Sequence, residues 1–157
     1  MFATKTQVLV TQLGVAFPRL SESLSPKDIQ RIGRMGDRRL LLPGQDVAED
    51  RERLPGLCLI LRGRMEPRAA DGFPPEHRWI LGPGDALGLE TLVGQTPRHA
   101  SLVAIDMCEV CVIDAAVWGQ LKDEHTHIAV GFLSALAREL AEELAALGVS
   151  LERRRAP

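Results

Sequence analysis

Gly82-Pro83-Gly84-Asp85-Ala86-Leu87-Gly88-Leu89-Glu90-Thr91-Leu92-Val93-Gly94-Gln95-Thr96-Pro97-Arg98-His99-Ala100-Ser101-Leu102-Val103-Ala104 is the stretch whose reading decides the fold. It opens on a tight turn over Gly82 to Asp85, predicts a short helix after Gly88, turns again over Gly94 to Pro97, and lets Arg98 open a strand. Backbone N–H groups at a helix start, facing an arginine, make a compact receptor for one phosphate. The N–H groups supply aligned donors, and the planar guanidinium grips two oxygens at once. The same residues also read as a β-turn connection with a solvated arginine, and the pattern alone leaves both open.

Downstream, Ser101 to Ile105 and Met107 to Ile113 read as two strands parted at Asp106. Cys108 and Cys111 invite a metal or redox reading. Residues three apart on a strand point to opposite faces, however, so the two thiolates do not reach one ion, and both read as core cysteines. Asp114 begins a helical segment carrying Ala115, Val117, Trp118 and Leu121, and Glu124 to Ile128 leads into a long helix. On it Leu133, Ala137, Leu140, Leu144, Leu147 and Leu151 alternate spacings of four and three. That heptad seam is of the kind two copies bury against each other and predicts a homodimer, leaving Val130, Phe132 and Leu136 for an inner face. The alternative is a helix packed only on its own sheet. Gly148 offers an early stop, which would leave Val149 to Pro157, with Arg153, Arg154 and Arg155, as a solvated tail.

Upstream of the deciding stretch, short apolar runs alternate with turn residues. Leu40-Leu41-Leu42 meets Pro43-Gly44, and Leu54-Pro55-Gly56 leads into Leu57-Cys58-Leu59-Ile60-Leu61. Asp71-Gly72 marks a hairpin, and Arg78-Trp79-Ile80-Leu81 returns to Gly82. The run Leu57 to Leu61 is apolar on both strand faces, as in a closed or two-layered sheet. Strands of this length and spacing predict an antiparallel β-roll or jelly-roll over residues 38–113. Before it, Thr4 to Leu13 carries a mild helical pattern that ends ahead of Pro18. Ser25-Pro26-Lys27-Asp28 is a helix start, with a capping serine, proline at the first helical position and an acid in the first turn. Ile29, Ile32 and Met35 follow at helical spacing and Gly36 stops them. The class is α+β, one domain over residues 1–157: N-terminal helices within 4–35, the roll, and C-terminal helices over 114–151.

A chain of 157 residues has the length for one domain with a real core. A net charge of −2 sets up no field favouring DNA, RNA or an anionic membrane. No apolar run is long enough to span a bilayer and the first residues lack a signal-peptide core, so a cytoplasmic location without a membrane is expected. Three cysteines in such a chain argue against a disulfide framework. In the sheet region only His77 and His99 are histidines, and no histidine–carboxylate group stands at ligand spacing. Neither a metal, a cofactor nor catalysis is expected.

Gly88-x-x-x-Leu92 followed by Pro97-Arg98-x-Ala100 and an alternating strand resembles the phosphate-binding cassette of the cyclic nucleotide-binding domain, the sensor half of the catabolite activator and Fnr-type bacterial regulators. Gly56 to Arg64 resembles that family's strand ending in a structural glycine, here Gly63, and Pro83-Gly84-Asp85 resembles the turn before the cassette. The resemblance implies a small-molecule effector, cyclic AMP or cyclic GMP, held at Gly88, Leu89, Glu90, Thr91, Arg98, His99 and Ala100, with Arg98 on the phosphate. It also implies a dimer through Leu133, Ala137, Leu140, Leu144 and Leu147.

The chain departs from the family pattern at Leu89, where a glutamate normally binds the ribose hydroxyl. Leucine accepts no hydrogen bond, and an unpaired buried hydroxyl costs about 1–3 kcal/mol. Glu90 stands one place later, rotated by about 100° on a helix. The stretch Ala48 to Arg53 also lacks a glycine usual in the family. His99, where serine or threonine is frequent, reads either as a ligand contact or as a polar rim residue. Two functions therefore stay open. One is a nucleotide-sensing module, favoured by Arg98. The other is a nucleotide-free interaction or dimerisation protein, with a protein partner, favoured by Leu89. In the family's transcription factors a helix-turn-helix domain follows the dimer helix; none follows before Pro157, so DNA binding is not expected of this chain.

Overall fold

The computed structural model describes residues 5–48, 53–69, 79–95 and 99–155. Three helices come first: α1 (Lys5–Ala16), α2 (Pro18–Ser23) and α3 (Pro26–Met35). α1 runs past the expected end at Leu13, and Pro18 serves as the first residue of α2, a position where its missing N–H costs nothing. α3 begins with a reciprocal capping box. The Ser25 hydroxyl accepts the Asp28 N–H at 3.3 Å, and the Asp28 carboxylate accepts the Ser25 N–H at 3.2 Å and its hydroxyl at 2.7 Å. These bonds, the Ser25 side chain first, hold the Asp28 carboxyl below its ordinary range. Gly36 caps the other end.

The strands are β1 (Asp37–Leu41), β2 (Gly56–Arg62), β3 (Met65–Ala69), β4 (Ala86–Leu87), β5 (His99–Ala104) and β6 (Cys108–Asp114). One sheet has the order β1-β6-β2-β4 and the other pairs β3 with β5, with every pairing antiparallel. The chain after β1 extends the second sheet: the Gly44 N–H donates to the Ala104 carbonyl at 2.8 Å and the Val47 N–H to the Leu102 carbonyl at 3.0 Å. The two layers make the predicted roll. Of the expected return strand, Leu81 bonds to Met65 at 2.8 and 2.9 Å while Trp79 and Ile80 are exposed. Asp71-Gly72 and Arg78 lie outside the described residues.

β2 and β6 are buried along all but their last residue because each faces two cores. Leu57, Leu59, Leu61, Cys111 and Ile113 turn toward the helices and pack with Leu13, Ile32, Trp118 and Phe132. Cys58, Ile60, Cys108, Val110 and Val112 turn into the roll and pack with Val47, Met65, Leu102 and Ala104. Cys108 and Cys111 thus fall in opposite cores, as strand alternation requires. All three cysteines are buried and free, and burial pushes the Cys58 and Cys111 thiols up to about 12. Gly63 ends β2 at φ +83°; a side chain there would lie 2.5 Å from the Met107 carbonyl, so the turn admits glycine alone. Glu109, 3% exposed, faces the helices; Arg38 and the Gln12 amide (3.0 Å) take its carboxylate and dock α1 onto the sheet.

α5 (Ala115–Glu124) starts at Asp114, whose carboxylate accepts the Val117 N–H at 2.8 Å. α6 (Thr126–Arg155) crosses it with the Trp118 and Phe132 rings 6.4 Å apart. Two expectations for α6 are corrected. Gly148 does not end the helix, which continues to Arg155, so Arg153 to Arg155 are helical and not a tail. Strong helix formers on both sides, Ala145, Ala146 and Leu147 before it and Leu151, Glu152 and Arg153 after it, carry the helix across a residue that costs about 1 kcal/mol. Val130, expected inside, is 59% exposed. It stands two residues, about 200° of helix, from both Ile128 and Phe132, which are buried with Ala129, Ala135 and Leu136. No described helix is long and apolar enough to cross a membrane.

Candidate functional site

The expected turn forms as read. The Gly82 N–H donates to the Asp85 carboxylate at 2.7 Å and the Asp85 N–H to the Gly82 carbonyl at 3.0 Å. β4 then pairs Ala86 with Leu59 and Leu87 with Cys58, which delivers Gly88 to the edge of β2. Gly88 sits at φ +94°, and a Cβ there would run into the Gly56 carbonyl of β2. Glycine is required both for the left-handed turn and for the close approach. It caps α4 (Leu89–Leu92), the helix expected at this point.

The α4 residues divide their work. Leu89 is half-buried against the helix-side core, and Leu92 is buried in it. Thr91 is half-buried, and its hydroxyl donates to the Gly88 carbonyl at 2.6 Å, closing the turn from within. Glu90 is half-buried, and its carbonyl accepts the Gln95 N–H at 2.9 Å. Arg98 lies outside the described residues, with Thr96 and Pro97. His99 and Ala100 lie on the backbone of β5, where the register against β3 shifts. Ser101 faces Arg68 and His99 faces Ala69, so Ala100 is unopposed and marks a bulge.

Beside α4 lies a solvent-open cleft. Phe17, Leu57 and Leu89 form its apolar floor, Gly84 and Ala86 one rim, and Leu136, Glu139, Leu140 and Glu143 of α6 the facing wall. Those four α6 residues repeat at i, i+3, i+4 and i+7, the spacing of one helix face. That spacing was open to a reader of the sequence, but the glutamates read as flanks of the seam. Phe17 carried no such signal. Leu89, the first residue of α4, and the Glu139 and Glu143 carboxylates of α6, which accept hydrogen bonds and repel anions, line the same cleft. Among the described residues no cluster of three or more His, Cys, Asp or Glu side chains could hold a metal ion.

The seam residues Leu133, Ala137, Leu140, Leu144 and Leu147 are all exposed on α6. Leu140 belongs to both surfaces, the seam and the cleft wall.

Residues 38–125 match the family model of the cyclic nucleotide-binding domain. No curated protein matches the chain. Among solved structures, the catabolite activator protein of Thermus thermophilus is 26% identical with a TM-score of 0.61. The match covers 86% of this chain and 63% of that one, so the chain spans less than two thirds of that protein's length. A cyclic nucleotide-binding domain from Methylobacillus flagellatus is 17% identical with a TM-score of 0.66, covering 92% of this chain and 87% of that one. The regulatory subunit of a cAMP-independent protein kinase A from Trypanosoma brucei is 20% identical with a TM-score of 0.63, covering 86% of this chain and 45% of that one.

Proposed function

The chain belongs to the cyclic nucleotide-binding domain family, whose model spans residues 38–125, and from that premise we propose that it is a non-enzymatic effector-sensing module of the cytoplasm. A cyclic nucleotide binds with its phosphate at the Gly88–Ala100 cassette, on backbone N–H groups and Arg98, and with its base toward α6. Binding shifts α6 and so alters a homodimer built on Leu133, Ala137, Leu140, Leu144 and Leu147.

Leu140 carries this reading. It lines the cleft that Leu89 floors and stands 43% exposed on the seam, so one side chain feels both an occupant and a partner. A ligand that contacts it differently in two α6 positions has the differential affinity that a population shift needs. The second reading, a nucleotide-free dimerisation or interaction protein, is favoured by Leu89. An apolar side chain half-buried on the core fills the place of a hydroxyl acceptor. The Trypanosoma relative is itself described as cAMP-independent.

Calorimetric titration with cyclic AMP, cyclic GMP and cyclic di-GMP, alongside an Arg98→Ala variant, separates the two. Micromolar binding that disappears in the variant supports the sensor. Absence of heat with every nucleotide sinks it in favour of the nucleotide-free reading.

A further inference from the structure

The buried face of α6 ends at Leu136. Ala137, Arg138 and residues 140–147 are exposed, and only Glu139 among residues 137–147 is half-buried. Charge ties this outer part to the body of the protein. Arg19 on α2 forks between two helices: one terminal nitrogen donates to the Glu22 carboxylate at 3.0 and 3.2 Å, and the other to Glu142 on α6. Arg138 of α6 stands 3.9 Å from the same Glu22. Two side chains from each helix thus alternate in sign, and the bond from Arg19 holds the Glu142 carboxyl below its ordinary range. The same turns of α6 present Glu139, Leu140 and Glu143 to the cleft, whose floor includes Phe17 at the start of α2.

We infer that Arg19 is a positioning residue: through Glu142 it holds the outer half of α6, and with it the α6 wall of the cleft, beside α2. A planar guanidinium spans two carboxylates where an ammonium offers a single point charge. Exposed ion pairs are individually weak and are screened by salt. A segment held by such a network is drawn from the low-stability end of the molecule, where an occupant of the cleft or a partner on the seam can move it. The geometric claim is independent of the effector reading, and only its consequence for binding rests on that reading.

The test is amide hydrogen exchange over residues 137–147 of the ligand-free chain, in a Leu144→Glu background so that self-association does not mask it. In Arg19→Gln, and in the parent at about 1 M salt, exchange there rises roughly two- to five-fold, while residues 128–136 stay protected. Arg19→Lys restores part of the protection. Equal exchange in Arg19→Gln and the parent overturns the inference, as does a rise that includes residues 128–136 to the same degree. A cyclic AMP titration of the same proteins keeps the two readings apart. Weaker binding in Arg19→Gln extends the inference to the cleft. Raised exchange with no nucleotide heat in any protein leaves Arg19 in its role and removes the nucleotide.

Discussion

Leu89 is where two demands on one side chain collide. As a core residue it packs half-buried beside Leu57 and Phe17. As a cassette residue it leaves a ribose hydroxyl without an acceptor. Leu89→Glu separates the demands, because the change removes apolar contact and adds an acceptor in one step. The variant is expected to lose about 1–2 kcal/mol in chemical denaturation, the worth of a half-buried leucine. If a cyclic nucleotide is the effector, it gains roughly ten- to hundred-fold in calorimetric affinity, the value of a satisfied hydroxyl. Loss of stability with no gained affinity would count against a nucleotide in this cleft. The neighbouring Gly88 admits no such exchange of roles, since its positive φ and the Gly56 carbonyl exclude any Cβ. The glycine was therefore legible as a fixed point of the sequence and the leucine as its anomaly. The α6 carboxylates that face them were not, because helical spacing alone does not say which of two faces meets a cleft.

At the scale of elements, α6 carries a line of exposed leucines. Leu144 and Leu147 are 67% and 60% exposed, and Leu133 and Leu140 continue the same line. Heptad spacing earns stability only if a second helix covers it. Leu144→Glu, at a side chain 67% exposed, is expected to halve the mass measured by light scattering and to change monomer stability by less than about 0.5 kcal/mol. A wild-type chain that is already monomeric, or a variant that stays dimeric, would reject the seam. Elements whose ends rest on local chemistry were readable beforehand: α3 from Ser25-Pro26-x-Asp28, α5 from Asp114, α4 from Gly88. The course of α6 was not. Gly148 resembles a helix stop in one dimension, yet the helix passes through it, because a stop also needs a left-handed turn that the chain does not make there. Val130 was misplaced for a related reason: apolar character does not fix a face, whereas its 200° rotation from Ile128 does.

The whole molecule hangs on two strands. β2 and β6 supply one side chain in two to the helix-side core and the next to the roll, so neither core survives the loss of either strand. The roll was legible because Leu57 to Leu61 has no polar member; how the helices lie on its outer face was not, since that depends on contacts such as Arg38 and Gln12 on Glu109, far apart in sequence. Such sharing predicts one cooperative transition, and the three cysteines report on it. Cys58 and Cys108 stand in the roll and Cys111 against the helices. At neutral pH a thiol reagent should leave all three untouched in the folded chain, then label them at one common denaturant concentration, read peptide by peptide in a mass spectrometer. Labelling of Cys111 at a lower concentration than Cys58 would show that the helices unfold as a separate unit. The same thiols set an alkaline limit. In the unfolded chain they ionise from about 9, whereas burial holds Cys58 and Cys111 protonated up to about 12. Between those values the unfolded state binds fewer protons, so stability is full below pH 9 and falls as pH rises toward 12. Replacing both thiols with alanine should flatten that fall, at the cost of a lower plateau from the small cavities left in the two cores.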